Sequence, residues 1–126
     1  ISRKPDLKMD SILLEFENLI EFGHYRFSFG IPLSGENIQK IFVSRETSLT
    51  LRFRKEGDSI LLNDHHKKLS RLFIDKKVSF EERNSSVVVE QNNQILAILN
   101  IAISDLSKAL KSDIMSTVLY IQKIDG

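Results

Sequence analysis

The run Leu49-Thr50-Leu51-Arg52-Phe53-Arg54 alternates apolar and polar residues without a break. A period of two predicts a half-buried strand, with Leu49, Leu51 and Phe53 on one face and Thr50, Arg52 and Arg54 on the other. Tyr25, Phe27, Phe29 and Ile31 alternate in the same way with Arg26, Ser28 and Gly30. Between residues 12 and 22 apolar positions mix with Glu15, Glu17 and Glu21; the period is ambiguous, and the aromatic content favours strand over helix. Residues 32–37, with Pro32, Ser34 and Gly35, predict a turn, and 38–44 another strand. Residues 87–90 and 94–101 are apolar β-type runs around Asn92-Asn93, a hairpin-turn pair. A last strand is predicted over 118–124.

The pattern changes after Gly57-Asp58. Asn63 or Asp64 is suited to cap a helix that runs to about residue 77. On a helical projection Leu69, Leu72 and Phe73 share one side, and Lys67, Lys68 and Arg71 lie opposite, joined by Asp75. Ser104 is suited to cap a short helix over about 104–111. The expected class is α+β: mostly antiparallel strands in a layered, sheet-rich domain, with a main amphipathic helix at about 64–77 and a short one at about 104–111.

With 126 residues the chain has the size of one domain. Its expected organisation is a charged lead-in over 1–10, flanking strands to 48, a strand–loop–helix–hairpin unit over 49–91, and a closing helix and strand over 92–126. A start at Ile1 predicts a piece of a longer protein. The absence of cysteine excludes disulfides, thiolate nucleophiles and cysteine metal sites, and fits a reducing cytoplasm. No run of 18 apolar residues is present, so no membrane span is expected, nor does the polar start resemble a secretory signal.

Charge sharpens the picture. Nine of the 18 lysines and arginines fall within residues 52–83, against six of the 17 acids, so that stretch is net positive while the rest is net negative. Arg52 and Arg54 are two residues apart in a strand, roughly 6.5–7 Å, close to the spacing of successive phosphates. Guanidinium groups grip phosphate with paired hydrogen bonds, and Lys67, Lys68 and Arg71 add charge from the helix. The competing reading is a solvated face with an Arg71–Asp75 surface pair. Phe53 and Phe73 both fall on core faces, which favours a backbone reader of folded RNA over a single-strand stacking platform. Catalytic motifs are missing. Leu33-Ser34-Gly35-Glu36 lacks the second glycine of a pyrophosphatase-type loop, Glu81-Glu82 reads as solvated charge, and His65-His66 has no further ligand spaced to help it hold a metal. No catalytic and no metal-ligating residue is therefore expected.

The set Arg52-Phe53-Arg54-Lys55-Glu56-Gly57-Asp58, Lys67-Lys68-Leu69, Leu72-Phe73-Ile74-Asp75 and Glu82-Arg83 resembles the C-terminal domain of bacterial tRNA(Ile)-lysidine synthases, most densely over 49–91. The resemblance implies a three-layer α+β fold related to a domain of the phenylalanyl-tRNA synthetase β subunit. It implies a cytoplasmic parent ligase that uses ATP, with magnesium, to join lysine to the wobble cytidine of an isoleucine tRNA with a CAU anticodon. The ATP site of that family lies in an N-terminal domain outside this chain, so no cofactor is expected here. The C-terminal region helps hold the tRNA. Carried over, Arg52, Arg54, Lys67, Lys68 and Arg83 would be RNA-facing, and Gly57 and Asp58 would shape the loop; the charge pattern adds Arg71 to the RNA-facing set. Departures are Ser59 where a basic residue is common, Asp64-His65-His66 in place of a glycine-bearing loop, Ser79 in place of proline, and Ser85-Ser86 in place of an apolar–proline step. A rival expectation is a module that docks on the parent's catalytic domain or forms a homodimer.

Overall fold

The computed structural model describes residues 10–124; the expected lead-in over 1–10 lies almost wholly outside the described residues. Strands β1 (Ser11–Leu14), β5 (Leu49–Phe53), β8 (Val87–Gln91), β9 (Gln94–Ile98) and β10 (Ala102–Ile103) form one antiparallel sheet in the order β1-β5-β8-β9-β10. Strands β2 (Leu19–Phe22), β3 (Tyr25–Phe29), β4 (Ile38–Ser44) and β11 (Ser116–Lys123) form a second, in the order β2-β3-β11-β4. A hairpin of β6 (Ser59–Leu62) and β7 (His65–Lys68) leads into helix α1 (Leu69–Asp75). Helix α2 (Phe80–Ser85), helix α3 (Asp105–Ala109) and a 3₁₀ turn (Leu110–Ser112) complete the order.

Two cores make this a three-layer structure of the expected class. In the first, Leu49, Leu51, Val87, Val89 and Ala97 of the five-stranded sheet meet Phe27, Phe29, Ile41, Val43, Leu119 and Ile121 of the four-stranded sheet. In the second, Val88, Ile95 and Ile98, on the opposite face of the five-stranded sheet, meet Ile60 of the hairpin and Leu69, Leu72 and Phe73 of α1. The five-stranded sheet is thus covered on both faces. That is why Val87–Val89 and Ile95–Leu99 read as continuous apolar runs and not as alternation.

Several expectations change. The apolar stretch of residues 12–22 is two strands in different sheets. The chain turns a corner at Glu15–Asn18, where Glu17 has φ 67° and donates its N–H to Phe29 O at 2.8 Å. Asn63 and Asp64 do not cap a helix; both have positive φ (50° and 67°) and form the two-residue turn of the β6–β7 hairpin. The helix predicted over 64–77 therefore begins only at Leu69. Asn92-Asn93 is the predicted turn, with φ 53° and 63°. Ser104 caps α3 as expected, accepting the Leu106 N–H at 3.1 Å.

Helix α2 was not foreseen, although its start is written in the sequence. Ser79 Oγ accepts the Glu82 N–H at 3.2 Å, and the Glu82 carboxylate reaches back to the Ser79 backbone, a reciprocal capping box. Glu82 is therefore a structural cap and not a free charge. Helix α1 ends in a Schellman motif: Val78 N–H bonds to Phe73 O at 2.9 Å and Lys77 N–H to Ile74 O at 3.0 Å, with Lys77 left-handed at φ 55°. The accompanying hydrophobic contact is Val78 beside Phe73 in the second core.

Candidate nucleic-acid interface

Arg52 does project from β5 on the face predicted, but that face is covered by the third layer. The residue is only 4% exposed. Its Nε donates to Glu90 Oε1 at 2.8 Å; Nη1 donates to Asp58 Oδ2 at 2.9 Å and to Phe53 O at 3.0 Å; Nη2 donates to Asp58 Oδ1 at 3.0 Å. The expectation of a solvent-facing, phosphate-gripping Arg52 is corrected accordingly: its guanidinium is already gripping carboxylates. Burial by itself would lower its pKa, but the hydrogen bonds and charges of Asp58 and Glu90 outweigh this and raise it. For Asp58 burial pushes upward, and the Arg52 hydrogen bonds, the Lys55 N–H and the neighbouring cations outweigh it, so its carboxyl is held below the ordinary value.

Through Asp58 the clamp sets the geometry of the β5–β6 loop. The Asp58 side chain accepts the Lys55 N–H at 2.7 Å, the Asp58 N–H donates to Lys55 O at 3.2 Å, and Asp58 O accepts the Leu69 N–H at 3.0 Å. The turn of residues 55–58 is so tied to the first residue of α1. Gly57 takes φ 89° there, a conformation that glycine adopts without steric cost.

Arg54 and Arg83 converge on one ring. Their guanidinium carbons lie 5.7 and 6.0 Å from the centroid of buried Phe73. Arg83 Nε donates to Val78 O at 3.0 Å, which ties α2 to the end of α1. Arg54 Nη2 donates to Asn84 Oδ1 at 3.0 Å, while its Nε is buried without a partner among the described residues. Both arginines are half-buried.

The lysine pair is divided by its position on β7, not on a helix. Lys67 is half-buried and ion-paired with Asp75, the last residue of α1, whose carboxyl it holds below the ordinary value. The Arg71–Asp75 pair of the competing reading is not formed; Lys67 takes that place. Lys68 and Arg71 are exposed, as are Lys55, Lys76 and Lys77, and none of the five pairs with a carboxylate among the described residues. Lys55, Lys76 and Lys77 were absent from the predicted set. Their position beside the Gly57 turn and at the end of the helical stretch was the available signal.

Lys55, Lys68 and Arg71, with Arg54 and Lys67, border two clefts. One, of about 730 Å³, is lined by Arg54, Lys55, Lys68, Ser70 and Asn84, with Glu56 and Asp58 at its loop side. The other, of about 470 Å³, is lined by His66, Lys67, Lys68, Ser70, Arg71 and Ile74, with no acid. Lys68 and Ser70 line both, so the clefts adjoin and form one basic strip from the β5–β6 loop along α1. Its chemistry suits an extended series of anionic groups. Among the described residues no group of His, Cys, Asp and Glu could hold a metal ion, and no helix is long and apolar enough to cross a membrane.

The family described as the TilS substrate C-terminal domain matches residues 49–119. The tRNA(Ile)-lysidine synthase of Streptococcus sanguinis (strain SK36) is 97% identical over 126 residues, all of this chain and 30% of the relative. The enzymes of the same name from Streptococcus gordonii and Streptococcus mutans are 55% identical over 125 residues and 40% identical over 111, covering 99% and 87% of this chain and 29% and 26% of the relatives. The chain thus spans under a third of the length of the curated relatives it matches. A solved structure described as the crystal structure of TILS C-terminal domain shares the fold, with a TM-score of 0.68 at 20% identity over 92% of this chain and 99% of that one.

Proposed function

This chain belongs to the TilS substrate C-terminal domain family, and from that premise we propose that it is the tRNA-holding part of a tRNA(Ile)-lysidine synthase. In this reading it binds the body of a folded isoleucine tRNA by its phosphates and orients it for chemistry performed elsewhere. The lysine ligation, with its ATP and magnesium, belongs to the portion of the full-length cytoplasmic enzyme outside this chain. The observation that supports the reading is the basic strip, where Lys68, Arg71 and Lys55 stand exposed, without a carboxylate partner among the described residues, beside half-buried Arg54. Phosphate contacts position a nucleic acid without reading its sequence, which matches a strip with cations and no exposed aromatic in either cleft.

The RNA-facing set in this proposal is Arg54, Lys55, Lys68 and Arg71, with Lys76 and Lys77 at the far end. Arg52 and Arg83 support that set from beneath. The test is a titration of the full-length enzyme with tRNA across a salt series. Binding should weaken steeply with salt, and replacing Lys68 and Arg71 together by alanine should lower the log–log slope by about two units. An unchanged slope and affinity in a folded double variant would overturn the reading.

A further inference from the structure

Strand β4 is an edge of the four-stranded sheet. Its neighbour β11 alternates: Val118 O accepts the Gly30 N–H on the β3 side, so Leu119 and Ile121 turn their backbone groups toward β4, opposite Ile41 and Gln39. The backbone groups of Lys40, Phe42 and Ser44 therefore point outward from the sheet.

Half of this edge is already closed by side chains. Buried Gln91 treats Ser44 as a strand would. Its Oε1 accepts the Ser44 N–H at 2.9 Å, and its Nε2 donates to Ser44 O at 2.7 Å and to Thr47 O at 3.0 Å. One step along, Ser107 Oγ of α3 donates to Phe42 O at 2.7 Å. At the Phe42 N–H and at both backbone groups of Lys40, no strand or side chain among the described residues completes the edge. A cleft of about 530 Å³ opens there, between Lys40 and Ile41 of β4 and the β9–β10 turn, with Ile98, Ile101 and Ile103 in its wall; Ile103 is 41% exposed.

We propose that the Lys40–Phe42 edge and this cleft are the docking strip for an extended peptide segment of alternating apolar and acidic residues, supplied by the part of the full-length protein outside this chain. The open N–H and C=O groups call for another backbone, and period-two alternation puts every second side chain of an added strand into the apolar cleft. The two charged residues lining the cleft are both lysines, Lys40 and Lys108, so the partner's rim residues are acidic. The same charges disfavour a second copy, whose edge would bring its own Lys40 against them. The source is argued from length: this chain matches 30% of its 97% identical relative, which leaves about 70% of that relative's length to supply such a segment.

The test is amide hydrogen exchange on the full-length enzyme without tRNA, compared with its Ile103→Asp and Lys108→Glu variants. The Lys40 and Phe42 amides should exchange at least tenfold more slowly in the parent protein than in either variant, at every protein concentration. The Ile41 and Val43 amides, bonded to β11, report that the sheet stays folded. Lys108 is exposed, so its variant remains informative if Ile103→Asp unfolds. Fast exchange of Lys40 and Phe42 in the parent enzyme would overturn the proposal, as would protection that Lys108→Glu leaves intact. Protection that grows with protein concentration would assign the edge to a second copy and overturn it equally.

Discussion

Arg52 meets Asp58 in a parallel two-bond fork, Nη1 to Oδ2 at 2.9 Å and Nη2 to Oδ1 at 3.0 Å, with side-chain exposures of only 5% and 12%. A third bond to Glu90 leaves the guanidinium committed on all sides that face protein. Arg52→Ala would strand two partly buried carboxylates and should cost about 3–5 kcal/mol, read from denaturant unfolding. Arg52→Lys keeps the charge but cannot reproduce the fork, so it should recover little of that loss. A variant that retained full stability but lost tRNA binding would return Arg52 to the phosphate-contacting set.

The same pair sets an acid limit. Asp58 has a folded-state pKa below its ordinary value, so its contribution is complete above the unfolded Asp value of about 3.9 and is lost as pH falls from there through the folded value. Stability measured from pH 6 to pH 2 should fall mainly in that acid window. Asp58→Asn should be less stable at pH 6 and should flatten the acid slope. An unaltered slope in Asp58→Asn would remove Asp58 from the acid response.

On the basic strip, single substitutions should separate binding from folding. Lys68→Ala and Arg71→Ala each remove an exposed cation that has no carboxylate partner among the described residues, so unfolding free energy should change by no more than about 0.5 kcal/mol. Each should lower the salt slope of tRNA binding by about one unit. Lys67→Ala should behave differently, because Lys67 is paired with Asp75 and its loss leaves that carboxylate facing the strip.

Lys77 sits in the left-handed position of the Schellman motif, at φ 55°. Lys77→Gly should relieve that strain and stabilise the fold by about 0.5–1 kcal/mol after the entropy cost of glycine is counted. If Lys77 also touches RNA, the variant would be more stable and bind less tightly. Thermal melting and tRNA titration on one preparation would show both changes.

Gln91 joins the two sheets by closing the Ser44 edge. Gln91→Ala would leave the Ser44 and Thr47 groups to find water and should cost about 1–3 kcal/mol. Gln91→Glu should be worse at neutral pH, since it sets a carboxylate against the Ser44 and Thr47 carbonyls it now serves as a donor. Unfolding curves at pH 7 test both.

Strands that alternate apolar with polar side chains were legible from that alternation alone. The run at 49–54 and the turn at Asn92-Asn93 are where the pattern puts them. The hairpin β6–β7 was not legible, because His65-His66-Lys67-Lys68 has no apolar member; its buried contribution comes from Ile60, across the ladder from Lys67. Asn63-Asp64 serves equally as a helix cap and as a two-residue turn, and only the pairing partner decides between them. For Arg52 the alternation gave the correct face of β5. What it could not give was the layer lying on that face, which turns an apparent ligand into a buried strut.

Strand β11 lies between β3 and β4 and pairs with both, although residues 116–123 are separated from residues 25–44 by more than 70 positions. During synthesis β3 and β4 would have no shared neighbour until nearly the whole stretch had emerged, while β8 and β9 could pair at once across two residues. Connectivity predicts an order of closure: the β8–β9 and β2–β3 hairpins can pair early, whereas β4 can join the four-stranded sheet only once β11 has formed, which leaves Phe27, Phe29 and Ile41 without their full cover in the interval. A nascent chain stalled before residue 116 would display that apolar surface to the chaperones around it.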